Sequence, residues 1–426
     1  MANKRFVTVI GGGAAGLAAA VRAAECGARV TILEHNDRVG KKILSTGNGK
    51  CNFANRLQKP EFWRSGDPDF PWAVISRFPV DEVERFFENL GIVVTERDGY
   101  LYPASGQAAS ILDVLRHRAD HLGVRTVVNC HIEEIRDQKK LTAGSDESGS
   151  DRFQIRTDCG NFTADAVILA AGSKAAPKSG SDGSGYAIAE RYGHRIIEPL
   201  PALVQLRCAE NFYKKISGVR IRARAALREK VSGTVLAEDT GEVQLTDYGI
   251  SGIPVFQVSR YASRALADGK KVCAVLDFWP DRTEEELFDM LVQRRSVLGG
   301  TELSEFLTGW FNRKLGNLLM ERAGIRFDAG SGAVSDLADI NLKNLARLIH
   351  SFPTDVTGTN SFEQAQVCCG GIDVHEITPE TMESRKRSGL YFAGEIVDVD
   401  GICGGYNLHW AWASGFAAGS AAACGS

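Results

Sequence analysis

The segment FVTVIGGGAAGLAAAVRAAECGARVTILEHN, Phe6 to Asn36, constrains the fold more than any other part of the chain. Phe6–Ile10 is a short buried strand of β-branched type, and Arg29–Leu33 is a second strand. Between them Leu17 to Glu25 makes an alanine-rich helix, ended by Gly27 at a C-cap position. Gly11, Gly13 and Gly16 form G-x-G-x-x-G. Gly11 permits a tight turn, Gly13 lets backbone N–H groups approach a pyrophosphate, and Gly16 lets helix and strand pack closely. The helix N-terminus then favours negative charge. Glu34 stands 18 residues beyond Gly16, where an acid bonds ribose hydroxyls, with His35 next to it. A glycine triplet alone is weak evidence; strand, helix, second strand and acid together predict a dinucleotide site.

Glu34 favours a free 2′-hydroxyl, as in FAD or NAD, over a 2′-phosphate. The stretch that follows, HNDRVGKKILSTGNGKCN, separates those two. It is a basic, glycine-rich excursion rather than a third strand–helix unit. Arg38, Lys41, Lys42 and Lys50 offset the charge of a diphosphate, and glycines let the backbone lie against a flat ring. That suits a long, extended FAD better than NAD. A solvated surface loop is the competing reading of this stretch taken alone.

The 426 residues are enough for two or more domains. A net charge of −3 gives no global footprint for nucleic acid, although a local basic patch stays open. The N-terminal run mimics a signal peptide, but glycines at turn spacing interrupt it and a charged helix follows, so it reads as folded core. The segment WAWASGFAAGSAAACG is too short and too rich in glycine and serine to span a bilayer. The ten cysteines show neither CxxC pairs nor zinc spacing, so no metal site is expected. Cys368 and Cys369 are adjacent and read as two free thiols, and a reduced, cytoplasmic protein is the expectation.

Further stretches extend the pattern. DAVILAAGSKAAP, Asp165 to Pro177, is a buried strand ending in Ala-Ala-Gly; GLYFAGEIVDVDG, Gly389 to Gly401, is a strand followed by Gly394 and Glu395. GGYNLHWAWASGFAAG, Gly404 to Gly419, starts a terminal helix after a glycine pair. With RVGKKILSTGNGKCN and GYLYPASGQAASILDVL, these motifs resemble the bacterial HI-type/YhiN-type NAD(P)/FAD-dependent oxidoreductase family, also called BaiN-like or aminoacetone oxidase-like flavoproteins. The resemblance runs over nearly the whole chain. It implies an α/β fold with a two-dinucleotide-fold-type, Rossmann-like FAD domain built from both ends of the chain, an inserted antiparallel β-barrel and a small helical subdomain.

The expected boundaries are 1–195 and 351–426 for the two parts of the FAD domain, the latter with a barrel return. The barrel takes 196–282 and the helices 283–350. Gly13, Ala14, Ala15 and Glu34 are expected at the ADP half, with Arg38, Lys41 and Lys42 beside it. Gly47, Asn48, Gly49, Cys51 and Asn52 are expected at the ribityl and isoalloxazine region, and His131 and Ile132 at adenine. Ala171 and Gly172 close the pyrophosphate side, while Gly394, Glu395 and Gly401 hold the ribityl end. Gly405, Tyr406, Asn407 and Leu408 begin the last helix, facing the flavin pyrimidine edge. Two departures from the family are modest: a polar loop, QKKLTAGSDESGSD, lengthens a hairpin, and cysteines precede the glycine pair in QVCCGGIDV.

In the inserted region PALVQLRC, VRIRARAAL, GEVQLTDYGISGIPVFQVS and KVCAVLDFWP read as alternating strands with glycine turns. Thr283 and Glu286 form a capping box that opens the helical group. YKKISGVRIRARAALREK holds seven Lys or Arg, and Arg220, Arg222 and Arg224 share one strand face. Such a face is either a solvated edge or a phosphate-contacting patch for RNA.

Only one dinucleotide fingerprint is convincing; SGSDGSGY follows its strand after an eight-residue detour and reads as loop. Cys51 lacks a nearby partner, which removes the disulfide-reductase class. The flavin then carries the redox step, passing hydride through N5, with NAD(P)H as donor. Family members are linked to C=C reduction in bile-acid-like steroids, to dihydrouridine formation in large-subunit ribosomal RNA, and to oxidation of aminoacetone. The first two send hydride to the β-carbon of an enone-like system and a proton to the α-carbon. Cys51, Tyr248 and Tyr406 are the candidate acids, with solvent as the competing donor. The substrate is thus a small enone-like molecule or ribosomal RNA; no membrane and no protein partner is inferred. A non-catalytic flavin-containing binding protein is the alternative of a different class.

Overall fold

The computed structural model describes residues 4–138, 152–327 and 332–425. It separates into two compact units, one made of Met1–Leu200 with Gln366–Ser426 and the other of Pro201–Ala365. The first is built on a seven-stranded sheet. Its order is Ile377–Thr378, Glu383–Ser384, Leu390–Phe392, Ala166–Leu169, Phe6–Ile10, Arg29–Leu33, Arg125–Val127. The last five are mutually parallel and the first two are antiparallel additions. Parallel strands are covered on both faces, which favours apolar residues along them. All of Ala166–Leu169 is buried, as are Val7, Val9 and Ile32.

Both fingerprint strands occupy the expected residues. The helix between them spans Ala14–Glu25, beginning before the expected Leu17, because Gly13 takes the extended cap conformation and Ala14, Ala15 and Gly16 close the first turn. This helix packs on the terminal helix, Tyr406–Cys424, through small residues. A Cβ on Gly415 would lie 2.6 Å from the Ala15 carbonyl oxygen, and one on Gly419 would collide with the Ala19 carbonyl. The register, 415 to 15 and 419 to 19, makes the two helices run parallel.

The second unit holds a closed antiparallel barrel ordered Leu206–Cys208, Gly249–Gly252, Val235–Leu245, Arg220–Glu229, Val272–Asp277, Phe352–Thr359. One expected strand is a helix instead: Ile253–Ala267, 15 residues. Pro254 sits in its first turn, where a missing N–H costs nothing. Val255, Val258, Ala262 and Ala265 recur at helical spacing on its buried face. The Thr283–Glu286 capping box is present and opens Glu284–Val297, which with Arg313–Arg322 and Asp339–His350 shares an apolar core with the barrel.

The expectation of an entirely reduced chain is corrected at one place. Cys130 and Cys159, 29 residues apart, form a disulfide, whereas Cys368 and Cys369 are free thiols. A spacing of that length leaves no signature in sequence; the pair meets because strands Ile132–Gln138 and Arg152–Thr157 form a hairpin. The polar loop expected to lengthen that hairpin lies, from 139 to 151, outside the described residues.

Gly419→Val tests the helix seam. A side chain there must push two backbones apart, so unfolding free energy falls by about 1–3 kcal/mol in urea titration. A variant as stable as the parent removes the seam from the account.

Candidate active site and cofactor cradle

The nucleotide end is assembled from backbone. Gly11 has φ +96°, and a Cβ there would lie 2.5 Å from the Ala170 carbonyl oxygen. At Gly16 a Cβ would collide with the Gly11 carbonyl. Gly13 caps the helix with no side-chain hydrogen bond, no acid occupies the first turn, and nothing lies within 4 Å of a Cβ position at Gly13. Ala14 and Ala15 therefore begin a helix whose N-terminal N–H groups keep their partial positive charge for an incoming anion.

Glu34 ends the second strand and is 7% exposed. Its Oε2 accepts the Gly12 N–H at 2.7 Å, and its Oε1 accepts the Asn36 backbone and side-chain N–H groups at 2.8 and 2.7 Å. Gly12 and Asn36 were not singled out by sequence, although both flank a motif residue. The His35 ring stacks on His131, centroids 5.9 Å apart and planes 20° off parallel. His131 is fixed in turn by Asp158, which accepts its backbone N–H at 2.8 Å and pairs with Nδ1 at 2.9 Å. That backbone bond, followed by the ring, holds the Asp158 carboxyl below its ordinary value. Ile132, half-buried, starts the next strand.

The structure separates three basic residues expected together. Lys41 pairs with Asp37 at 2.7 Å and donates to the Asn36 side chain at 3.1 Å, next to Glu34. Arg38 lines a surface pocket with Arg116 and Asp120. Lys42 instead pairs with Glu395 at 2.6 Å, and the other Glu395 oxygen accepts the Cys368 N–H at 3.0 Å. Ala171 and Gly172 follow the central strand, Gly172 with φ +76° against Ser181.

The opposite end of the cradle is a run of left-handed backbone. Gly47, Asn48, Gly49 and Cys51 have φ of +55°, +53°, +83° and +56°. A Cβ on Gly47 would lie 2.8 Å from the Asn52 nitrogen. Asn52 is 8% exposed, and its Oδ1 accepts no hydrogen bond among the described residues. A Cβ on Gly405 would lie 2.7 Å from that same oxygen. Gly405 has φ +95° and caps the terminal helix without a side-chain bond or a first-turn acid. Asn407 turns aside to close on Gly401, accepting its N–H at 2.8 Å and donating to its carbonyl at 2.9 Å. Leu408 is half-buried in the same turn. Gly394 has φ +78° and donates to Ser414 Oγ at 2.9 Å.

These features fit FAD. Two parallel helices have uncapped N-termini of the kind that suits a diphosphate or a carbonyl-rich ring edge, and a buried amide oxygen lacks a donor such as the N–H of a flavin pyrimidine.

The three candidate acids have different surroundings. Cys51 is fully buried, and that burial pushes its thiol up to about 12. Tyr406 is 3% exposed, donates its hydroxyl to the Leu57 carbonyl at 2.9 Å, and is pushed up to about 12 by desolvation. Tyr248 belongs to the second unit, where the Arg207 guanidinium lies 5.4 Å from its ring centroid. Enclosure of the Cys51 side chain and the bond of the Tyr406 hydroxyl to Leu57 give both residues a packing role. Two tyrosines that sequence reasoning passed over also border the cradle: a ring atom of Tyr102 lies 3.8 Å from the Cβ position of Gly47, and one of Tyr100 lies 3.0 Å from that of Gly404. Strand Tyr100–Pro103 pairs with Ala54–Asn55, Leu101 is fully buried, and alternation puts Tyr100 and Tyr102 on the other face. The i, i+2 spacing in GYLYP was the available signal.

The arginine strand is neutralised. Arg220 pairs with Glu242 at 3.4 Å, Arg222 with Asp281 at 2.7 Å, and Arg224 with the buried Asp277 at 3.2 Å. Among the described residues no helix is long and apolar enough to cross a membrane.

Residues 5–421 match the family model described as HI0933-like protein Rossmann domain. A 3-dehydro-bile acid delta(4,6)-reductase from Clostridium scindens is 42% identical over 419 residues, covering 98% of each chain. Ribosomal RNA dihydrouridine synthases from Haemophilus influenzae and Escherichia coli are 30% and 28% identical, each covering 96% of both chains. With a Rossmann sheet, an open glycine cradle and a family match spanning nearly its whole length, the chain belongs to the HI0933-like family.

Proposed function

We propose that this FAD-dependent oxidoreductase uses NAD(P)H to reduce an activated C=C bond in a small-molecule enone of the 3-dehydro-bile-acid kind. The observation that carries the reading is the 42% identity, over 98% of both chains, to a reductase of that substrate class. Ribosomal RNA uridine is the second reading, supported by the two synthases at 30% and 28%. The ion-paired arginine strand weighs against it, since each guanidinium already has a carboxylate.

When bound, FAD supplies two-electron transfer from NAD(P)H to the β-carbon of the enone. The chain's own residues would hold and polarise it. The open helix end at Gly13 would take the diphosphate, and Glu34 the ribose hydroxyls, exchanging a protein donor for each. Asn52 Oδ1 would accept the pyrimidine N–H, and the helix end at Gly405 would place partial positive charge where negative charge grows on reduction. The α-carbon still requires a proton, and the enclosure of Cys51 and the Leu57 bond of Tyr406 weigh against either as its source.

Three outcomes follow. Under anaerobic conditions the NAD(P)H-reduced protein is reoxidised by a 3-dehydro bile acid with Δ4,6 unsaturation, and dihydrouridine in ribosomal RNA, read by nucleoside mass spectrometry, is the same with and without the gene. Loss of rRNA dihydrouridine on deletion would move the assignment to RNA. Asn52→Ala lowers FAD affinity about tenfold in fluorescence titration, since about 1–1.5 kcal/mol is the usual worth of one such bond. Cys51→Ala keeps turnover within about twofold and loses only about 1 kcal/mol of stability, as expected of a small buried group; a collapse of turnover with FAD retained restores Cys51 as an acid.

A further inference from the structure

We propose that the Tyr102 hydroxyl is the catalytic acid that protonates the α-carbon. This assignment rests on the enone reading above and adds the residue that the reading lacks.

Three observations place it. First, the edge of the Tyr102 ring lies 3.8 Å from the Cβ position of Gly47, in the left-handed loop whose closure sets Asn52. Gly47 has no side chain, so nothing of that residue intervenes between the phenol and the loop. Second, strand pairing fixes the direction of the side chain. Ala54 pairs with Leu101 and Asn55 with Tyr100, and the Phe53 N–H donates to the Leu101 carbonyl at 3.0 Å. Leu101 is thereby locked into the core, and Tyr102 onto the face that carries the glycine loop. Third, the hydroxyl is available: among the described residues it has no hydrogen-bond partner, and the side chain is half-buried rather than sealed. Tyr406 has spent its hydroxyl on Leu57, and Cys51 is enclosed.

The environment suits the task. Desolvation, followed by the neighbouring Tyr100, holds the Tyr102 phenol above its ordinary value, so it stays protonated at neutral pH. An enolate carbon is a stronger base than a phenolate, so the transfer runs downhill. The step balances as follows. The C=C π bond breaks, the β-carbon gains hydride derived from NAD(P)H, which becomes NAD(P)+, and the α-carbon gains the Tyr102 proton. Water then reprotonates the phenolate.

Tyr102→Phe in the FAD-loaded protein separates this role from packing. The visible flavin absorbance, the FAD dissociation constant and the rate of anaerobic bleaching by NAD(P)H are expected to stay within about twofold of the parent. Reoxidation by a 3-dehydro-Δ4,6 bile acid is expected to slow by about 100-fold, in the range of lost general acid catalysis. In the parent that rate falls as alkaline pH ionises the phenol, and the Phe variant loses this limb. Reoxidation of Tyr102→Phe at the parental rate overturns the proposal in favour of solvent protonation. Loss of bound flavin also overturns it, assigning the ring to holding the cofactor. Failure of the parent itself to be reoxidised by the bile acid refutes the enone reading and carries this assignment with it.

Discussion

Direct backbone contact between the helices Ala14–Glu25 and Tyr406–Cys424 is the constraint on which the cradle depends. Gly415 and Gly419 leave the terminal helix without side chains where it meets Ala15 and Ala19, and Ala18 lines the same seam. The helices run parallel, so both positive ends point the same way. Their starts are staggered: position 414 of the terminal helix is level with Ala14, yet that helix begins at Tyr406. Eight residues at 1.5 Å each place the two N-termini about 12 Å apart along the axis. One can meet a diphosphate and the other a ring held away from it by a ribityl-length spacer. A bulky seam would alter both separation and direction, which explains why the first and last segments of the chain, remote in sequence, are so rich in alanine and glycine.

Charge in the cradle is balanced before any ligand arrives. Glu34 has three N–H donors, and Lys42 and Glu395 neutralise each other at 2.6 Å. A buried charge with no partner would cost several kcal/mol. The exchange of partners on binding is therefore close to even for these groups. In the proposed placement of FAD, the two uncapped helix ends and Asn52 Oδ1 are the groups that would gain partners without giving any up.

Much of this was legible in sequence because it is local. Phe6–Ile10 and Arg29–Leu33 are marked by short, mostly apolar β-branched runs, and the glycine spacing fixes the turn after the first. The Thr283–Glu286 capping box is equally local. What escaped depends on contacts between distant residues or on competing periods. Ile253–Ala267 directly follows a true strand, Gly249–Gly252, whose last glycine is the helix N-cap, and its short apolar steps fit either period until packing decides. The Cys130–Cys159 bridge spans 29 residues. The division of labour among Arg38, Lys41 and Lys42 turns on Glu395, some 350 residues later, which no local pattern can supply. Cys51 looked reactive because it sits in a glycine loop; a left-handed φ of +56° swings its side chain into the core instead.

The same distinction bears on the basic strand. Counting charges along Arg220, Arg222 and Arg224 describes a phosphate-binding face, yet affinity for a polyanion follows the number of guanidinium groups free to replace counterions. Arg220 and Glu242 are both well exposed, and such a pair is worth about 0–1 kcal/mol, so it could open for a phosphate. Arg224 could not do so cheaply: its partner Asp277 is 1% exposed and lies 3.2 Å from His350 as well. Removing the guanidinium would leave a buried carboxylate with only the Trp279 N–H, at 3.0 Å, and His350 beside it. The innermost arginine therefore serves the barrel, as the counter-charge that lets Asp277 stay inside it. A strand that spends its inner charge in this way has fewer cations to offer a nucleic acid than its sequence implies.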